Sequence, residues 1–188
     1  MDMAEAATPH NSLDESALVY QISQGDREAF NLLFERYQLA IYRYCRFMVD
    51  DFALAEDIYQ ETFLSFYNVC HQGKDVHNVR GYLFAIARSK CLDFLENKKK
   101  YVPLEEASEL HYQFDESSKD TMEHFYKAVS RLPEQYRETF VLFSIKQYSY
   151  DEIAGMLNIS KNVVKNRVFR AKQGLQKVLS PILRDKEG

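Results

Sequence analysis

Apolar residues return every three or four positions along most of this chain, and the places where that rhythm breaks mark its elements. Leu18, Ile22, Phe30, Leu33, Phe34 and Tyr37 keep helical spacing around a break at Gln24-Gly25-Asp26. There Gly25 ends one helix and Asp26 caps the next. Ile41, Tyr44, Cys45 and Met48 carry that second helix to about Val49. A third helix is predicted over 53–69, with Leu54, Ile58, Phe63, Phe66 and Tyr67 inward, and a fourth over 81–97, with Tyr82, Leu83, Ile86, Ala87, Leu92 and Leu95. Between them, 71–80 holds Gly73 and polar residues and reads as a loop. Further on, Phe125, Ala128, Val129 and Leu132 predict another helix, and Pro133 suits the first position of the one after it, which carries Tyr136, Phe140, Val141, Phe143 and Ile145. No alternating pattern competes with the helical template and no internal repeat is evident, so the fold class is all-α.

The stretch 149–179 says most. Ser149 and Glu152 have the spacing of a capping box, so a short helix runs from about Tyr150 to Leu157. Asn158 tolerates the left-handed conformation of a sharp turn, and Ser160 can cap the next helix. Val164, Val168, Ala171, Leu175, Val178 and Leu179 form an apolar stripe on that second helix, whose other side carries Lys161, Asn162, Lys165, Asn166, Arg170 and Gln173. A capped short helix, a tight turn and a longer helix with polar, basic first turns is a helix-turn-helix, and such donors reach phosphates and major-groove base edges. A basic amphipathic helix alone would more often be only a solvated face.

The helical stretches fall into two groups. Residues 1–12 mix small and polar residues with Pro9 and read as a flexible tail. A first domain spans 13–100, an acidic linker with Pro103 spans 101–119, and a second domain spans 120–184. Net charge is −4, which by itself argues against a nucleic-acid partner. Its distribution reverses that inference: residues 101–122 carry −5 and residues 123–188 carry +5, so the basic surplus lies at the helix-turn-helix end. No apolar run approaches the roughly 20 residues of a membrane-spanning helix. The acidic first residues lack the basic start of a signal peptide, which predicts a cytoplasmic protein without membrane insertion.

Candidate chemistry is sparse. Cys45, Cys70 and Cys91 are scattered and form no close pair, so they read as buried reduced thiols; His71 and His77 near Cys70 do not make a zinc set, and no metal or cofactor is expected. Asp57 and Glu61 stand one helical turn apart with Gln60 beside them. No nucleophile, metal ligand or phosphate-binding glycine loop accompanies these acids, so general acid–base catalysis has no partners. From the residues alone, a solvated face and an acidic docking patch both stand. The run Lys98-Lys99-Lys100 suits a solvated helix end and, beside a polar loop, also single-stranded or distorted DNA.

Gly25-Asp26-Arg27-Glu28-Ala29-Phe30, Ala55-Glu56-Asp57-Ile58-Tyr59-Gln60-Glu61-Thr62-Phe63, Phe84-Ala85-Ile86-Ala87-Arg88-Ser89, Arg131-Leu132-Pro133, Tyr150-Asp151-Glu152-Ile153-Ala154 and Arg167-Val168-Phe169-Arg170-Ala171-Lys172 stand in an order that resembles the extracytoplasmic-function (ECF) group of bacterial RNA polymerase sigma factors. The likeness covers about 13–183. It implies a sigma region 2 domain, then a region 4 domain built as a helix-turn-helix (winged-helix-like) DNA-binding unit. It further implies that Asp57, Gln60 and Glu61 dock on the β′ clamp helices of core RNA polymerase, and that the second domain sits on the β flap. Lys74, His77 and Asn78 in the loop, with Ser89 and Lys90, would then capture the minus-ten element of promoter DNA. Lys165, Asn166 and Arg170 fall where the family reads the minus-thirty-five element, with Lys161 and Arg167 holding phosphate. The family further implies an anti-sigma factor that clamps the two domains together. Tyr82 stands where the family often has Trp, Ser89 where it often has Asn, and Asn162-Val163-Val164-Lys165-Asn166 replaces the usual Gly-Thr-Val-Lys-Ser.

The function expected is therefore promoter-specific transcription initiation by binding, not by catalysis. The competing reading is a stand-alone helix-turn-helix regulator whose first domain senses or dimerises. An enzyme using Asp57 and Glu61 is a third reading, with turnover of a small substrate as its signature.

Overall fold

The structure, a computed structural model, describes residues 12–101, 121–144 and 148–184. Eight helices occupy them: α1 Ser12–Ser23, α2 Arg27–Met48, α3 Phe52–His71, α4 Val79–Tyr101, α5 Thr121–Ser130, α6 Glu134–Ser144, α7 Tyr150–Leu157 and α8 Lys161–Arg184. No strand occurs among the described residues, so the helix-turn-helix carries no wing there. The expected tail, apart from Ser12, and the expected linker, apart from Tyr101, lie outside the described residues, as does Ile145.

The punctuation follows from side-chain chemistry. Gly25 takes a φ of 87° that L-residues resist, and Asp26 then accepts from the backbone N–H groups of Glu28 and Ala29 to start α2. Asp51 accepts from Leu54 N–H at 3.0 Å and starts α3 in the same way. Pro133 stands one residue earlier than the sequence suggests. It precedes α6, and its carbonyl accepts from Arg137 N–H at 2.9 Å, which uses the proline where a missing donor loses nothing.

Helices α1 to α4 pack as a bundle around Ile22, Leu33, Ile41, Tyr44, Met48, Phe66, Leu83 and Phe84, all essentially buried. Glu15 on α1 is buried too, and it is satisfied from α2 by Arg36 at 3.0 Å and the Tyr37 hydroxyl at 2.5 Å. Burying a carboxylate without such donors would be strongly unfavourable. Aromatic rings lock α2 on α3: Phe34 meets Phe63 edge-on at 4.8 Å and Phe30 meets Tyr67 at 5.3 Å. Helices α5 to α8 form a second cluster on Val129, Leu142, Ile153, Val164, Val168 and Ala171.

The two groups are not separate. Phe47 on α2 packs against Phe125 and Tyr126 on α5, at 5.6 and 4.5 Å, and α2 also packs along α6. Arg46 lies over the Tyr126 ring at 4.7 Å and pairs with Glu123 at 2.9 Å.

Candidate functional site

The helix-turn-helix forms as its sequence demands. The Ser149 hydroxyl accepts from Glu152 N–H at 3.2 Å and the Glu152 carboxylate accepts from Ser149 N–H at 2.7 Å, closing the capping box of α7. Asn158 adopts φ 52° and ψ 48°, the turn runs on through Ile159 and Ser160, and Ser160 accepts from Val163 N–H at 3.3 Å to start α8. Val164, Val168, Ala171 and Leu175 are buried against α6 and α7. Lys161, Asn162, Lys165, Asn166 and Arg170 are therefore turned to solvent on the first turns of α8. Lys161 pairs with Asp151 at 2.6 Å, while Arg167 is half-buried and reaches Gln135 at 3.4 Å. Lys165, Asn166 and Arg170 thus share the open face, and the other two residues are engaged at its margins.

A second surface lies on α3 and α4. Asp57, Gln60 and Glu61 are all exposed, and Leu64 beside them is 63% exposed despite being apolar. Leu64 belongs to this face by its i+3, i+4 and i+7 spacing from the acids and glutamine, a signal the sequence carried but that core-oriented reading passes over. Glu61 forms an ion pair with Lys90 of α4 at 2.8 Å. The structure thus joins a residue of the acidic patch to one expected at DNA.

The loop between α3 and α4 spans 72–78 and is pinned by the buried Val76. Lys74 and His77 are exposed, and His77 Nε2 lies 3.2 Å from Asp75. Asn78 serves the fold itself, since its side-chain oxygen accepts from Gly81 N–H at 2.9 Å and caps α4. Gly81 answers a packing need, because a Cβ there would come within 2.6 Å of the Asn78 amide nitrogen. Ser89 is exposed and borders a cavity of about 350 Å³ whose walls include Gly81, Arg88 and Asp93 of α4 and Met156 of α7. The expected minus-ten residues are consequently split, with Lys74, His77 and Asn78 in the loop and Ser89 and Lys90 two turns or more along α4.

Sequence reasoning did not anticipate the contacts that cross from this surface to the other four helices. Arg88 donates to Glu138 of α6 through Nε and, at 3.3 Å, through Nη2. Burial opposes the guanidinium charge, but the Glu138 carboxylate outweighs it and holds the arginine above its ordinary pKa. Arg80 pairs with Glu152 and lies over the Tyr148 ring at 4.6 Å. Burial disfavours the Glu152 carboxylate, yet its bonds from Ser149 and Arg80 prevail and lower its pKa. Arg137 donates from α6 to the Met48 carbonyl at the end of α2, at 2.8 Å, and burial lowers its pKa. All three cysteines are buried free thiols; hydrogen bonding to Cys45 and burial push the Cys91 thiol up, and burial pushes Cys70 up to about 11. No described helix is long and apolar enough to cross a membrane.

Comparison with known proteins is consistent along the chain. Residues 33–101 match Sigma-70 region 2, and residues 122–175 match Sigma-70, region 4. The first match replaces the sensing or dimerising domain of the stand-alone regulator, and that reading falls. The ECF RNA polymerase sigma factor SigM of Bacillus subtilis is 30% identical over 151 residues, which cover 77% of this chain and 91% of that protein. The RNA polymerase sigma-H factor of Pseudomonas aeruginosa is 25% identical over 91% of this chain and 96% of its own length. The ECF RNA polymerase sigma-E factor of Escherichia coli (strain K12) is 24% identical over 92% and 97%. Among solved structures, CnrH in complex with the cytosolic domain of CnrY aligns with a TM-score of 0.65 at 21% identity, covering 89% of this chain and 98% of that one. RpoE in complex with the anti-sigma factor NepR from Bartonella quintana aligns at 0.62 and 19% identity, covering 80% and 96%. Two sigma-70 regions in order, on an all-helical fold, with a relative matched over nearly its full length, place this chain in the family of ECF RNA polymerase sigma factors.

Proposed function

We propose that this sigma factor works by binding alone, through three surfaces that its two halves present to core RNA polymerase and promoter DNA. Residues 13–100 act as the region 2 domain and 120–184 as the region 4 domain, tethered through 101–119. Asp57, Gln60 and Glu61 dock on the β′ clamp helices, with exposed Leu64 supplying apolar contact at the C-terminal end of the same face. Lys74, His77, Asn78, Ser89 and Lys90 meet the minus-ten element; Asn78 contributes its amide, since its oxygen caps α4. Lys165, Asn166 and Arg170 read the minus-thirty-five element while Lys161 and Arg167 hold phosphate, and the second half rests on the β flap. An anti-sigma factor is the partner that controls it, as RpoE of Bartonella quintana is held in complex with the anti-sigma factor NepR.

The observation that carries the reading is the polar face of α8. Its stripe of Val164, Val168, Ala171 and Leu175 is buried against α5, α6 and α7, so the exposed donors of its first turns are held in place, and among the described residues no hydrogen bond or ion pair engages Lys165, Asn166 or Arg170. Binding each promoter element weakly and joining both on one polymerase multiplies the two through effective concentration. The test is size-exclusion chromatography of the full chain with core RNA polymerase, beside a variant carrying Asp57→Ala, Gln60→Ala and Glu61→Ala. Co-elution lost in the variant is expected. A folded wild-type chain that fails to co-elute would refute the docking assignment.

A further inference from the structure

The outward half of α8 is not uniformly basic. Asn166 lies opposite the buried stripe of Val164, Val168, Ala171 and Leu175, with Val163 and Arg170 to one side of it and Lys165 and Phe169 to the other. Val163 is 39% exposed and Phe169 58%. Val163 and Asn166 both fall within the first six residues of the helix, where a recognition helix meets base edges, whereas Phe169 comes later. Valine and asparagine are weaker helix formers than alanine, lysine or glutamate, and neither finds a contact inside the chain that offsets this. The Val163 side chain stands outside the core, and among the described residues no hydrogen bond engages the Asn166 amide. A position that goes against local preference with no gain in the fold belongs to a surface used for something else.

The chemistry of these two side chains is selective among bases. In the major groove adenine presents N7 as an acceptor and its N6 amino group as a donor, and a side-chain amide, with one oxygen and one NH2, meets both at once. Lysine and arginine cannot, because they have no acceptor. Among the four bases only thymine presents a methyl group there, and an apolar side chain is its complement. Val163 and Asn166 are three residues apart, which puts their Cβ atoms about 5–6 Å from each other on one face. Successive bases on a strand are about 3.4 Å apart, so the two side chains span one or two steps of duplex. Lys165 and Arg170 flank them with the charge that holds such a helix on DNA.

We propose that Val163 and Asn166 together set base identity in the minus-thirty-five element. The Asn166 amide pairs with N6 and N7 of an adenine, and the Val163 side chain packs on the 5-methyl group of a thymine no more than two base pairs away. Val163 is thereby a specificity determinant that contributes no hydrogen bond and no charge. The assignment rests on α8 being the promoter-reading helix, and adds which base edges that helix selects.

The test assembles the full-length chain with core RNA polymerase and selects bound duplexes from a library randomised over both promoter elements. The selected minus-thirty-five sequence should hold an adenine and a thymine within two base pairs of each other. Replacing that adenine by 7-deaza-2′-deoxyadenosine, which lacks the N7 acceptor, should weaken wild-type binding by about fivefold or more, the low end for a two-bond base contact. Replacing the thymine by 2′-deoxyuridine, which lacks only the methyl group, should weaken it by about fourfold. Asn166→Ala should lose sensitivity to the deaza analogue and keep sensitivity to uracil, and Val163→Ser should do the reverse. Both side chains are exposed, and circular dichroism confirms that each variant is folded. Wild-type binding indifferent to both analogues, or variants as sensitive to their own analogue as the wild type, overturns the assignment. In either case a selected sequence that is lost on combining Lys165→Ala with Arg170→Ala leaves the promoter-reading role of α8 standing. No selected sequence at that element, from a chain that co-elutes with polymerase, overturns the role and the assignment together.

Discussion

Ile153 is the one residue of α7 that is completely buried, and it decides whether that helix exists. An eight-residue helix has no independent stability in water, so α7 persists only through its caps and its docking. Changing Ile153→Ala removes three carbons at about 0.8 kcal/mol each, and the cavity left behind brings the loss to about 3–4 kcal/mol. Among the interactions that remain are the capping box, typically about 1 kcal/mol, the stacking of Tyr150 on Phe143 at 5.2 Å, about 0.5–1.5 kcal/mol, and the ion pairs of Glu152 with Arg80 and Asp151 with Lys161, about 0–1 kcal/mol each near a surface. The loss is as large as these together, so α7 should melt out of the second half while α1 to α4 stay folded. Urea unfolding followed by circular dichroism should show the transition of the second half lowered by about 1.5–2 M, taking a slope of about 2 kcal/mol/M. Hydrogen exchange should speed up in residues 150–160 and remain slow in α2 and α3. Minus-thirty-five recognition should fail while co-elution with core polymerase persists. A midpoint lowered by less than about 0.3 M, or exchange accelerated equally in α2, would refute the claim that this side chain anchors α7 locally.

Three further outcomes are expected from particular side chains. Gly81→Ala should leave global stability within about 1 kcal/mol, because the gain in helix propensity offsets the loss of the Asn78 cap; the residue 81 amide should nevertheless exchange faster, and unchanged exchange would show that the close Asn78 contact does not govern the cap. The three thiols should ignore Ellman's reagent in the folded protein near neutral pH and react fully in urea. Because Cys70 keeps its proton in the fold up to about 11, whereas an unfolded thiol loses it near 8.5, stability is complete below the unfolded value and declines as pH rises between the two. Complete labelling of the folded protein, or a stability flat across that alkaline window, would contradict the burial.

The residues that set local structure were legible in advance because their partners lie within one turn of them. Gly25, Asp26, Ser149, Glu152, Asn158 and Ser160 act on backbone groups at most three or four positions away, so composition and spacing reveal them directly. The stripe from Val164 to Leu175 is likewise a periodic signal, and it turned Lys165, Asn166 and Arg170 outward without any knowledge of the surfaces against which the stripe packs. The ordered motifs then identified the family.

Asn78 shows where such reading stops, since a polar loop residue suited to DNA proved to be the cap of α4, a role visible only once the helix began two residues earlier than its apolar pattern suggests. Eight helices, the helix ends at Gly25, Asp26, Ser149, Asn158 and Ser160, the exposed face of α8 and the kinship could all be read from the chain alone. The packing of the two halves could not. It emerged only in three dimensions, through Arg88 with Glu138, Arg46 with Glu123, and Arg137 with the Met48 carbonyl, at separations of 50, 77 and 89 residues. Charged residues so far apart leave no period in the chain. Each sits among other acids and bases with equal claim on it, and only the shapes of the packed helices choose its partner.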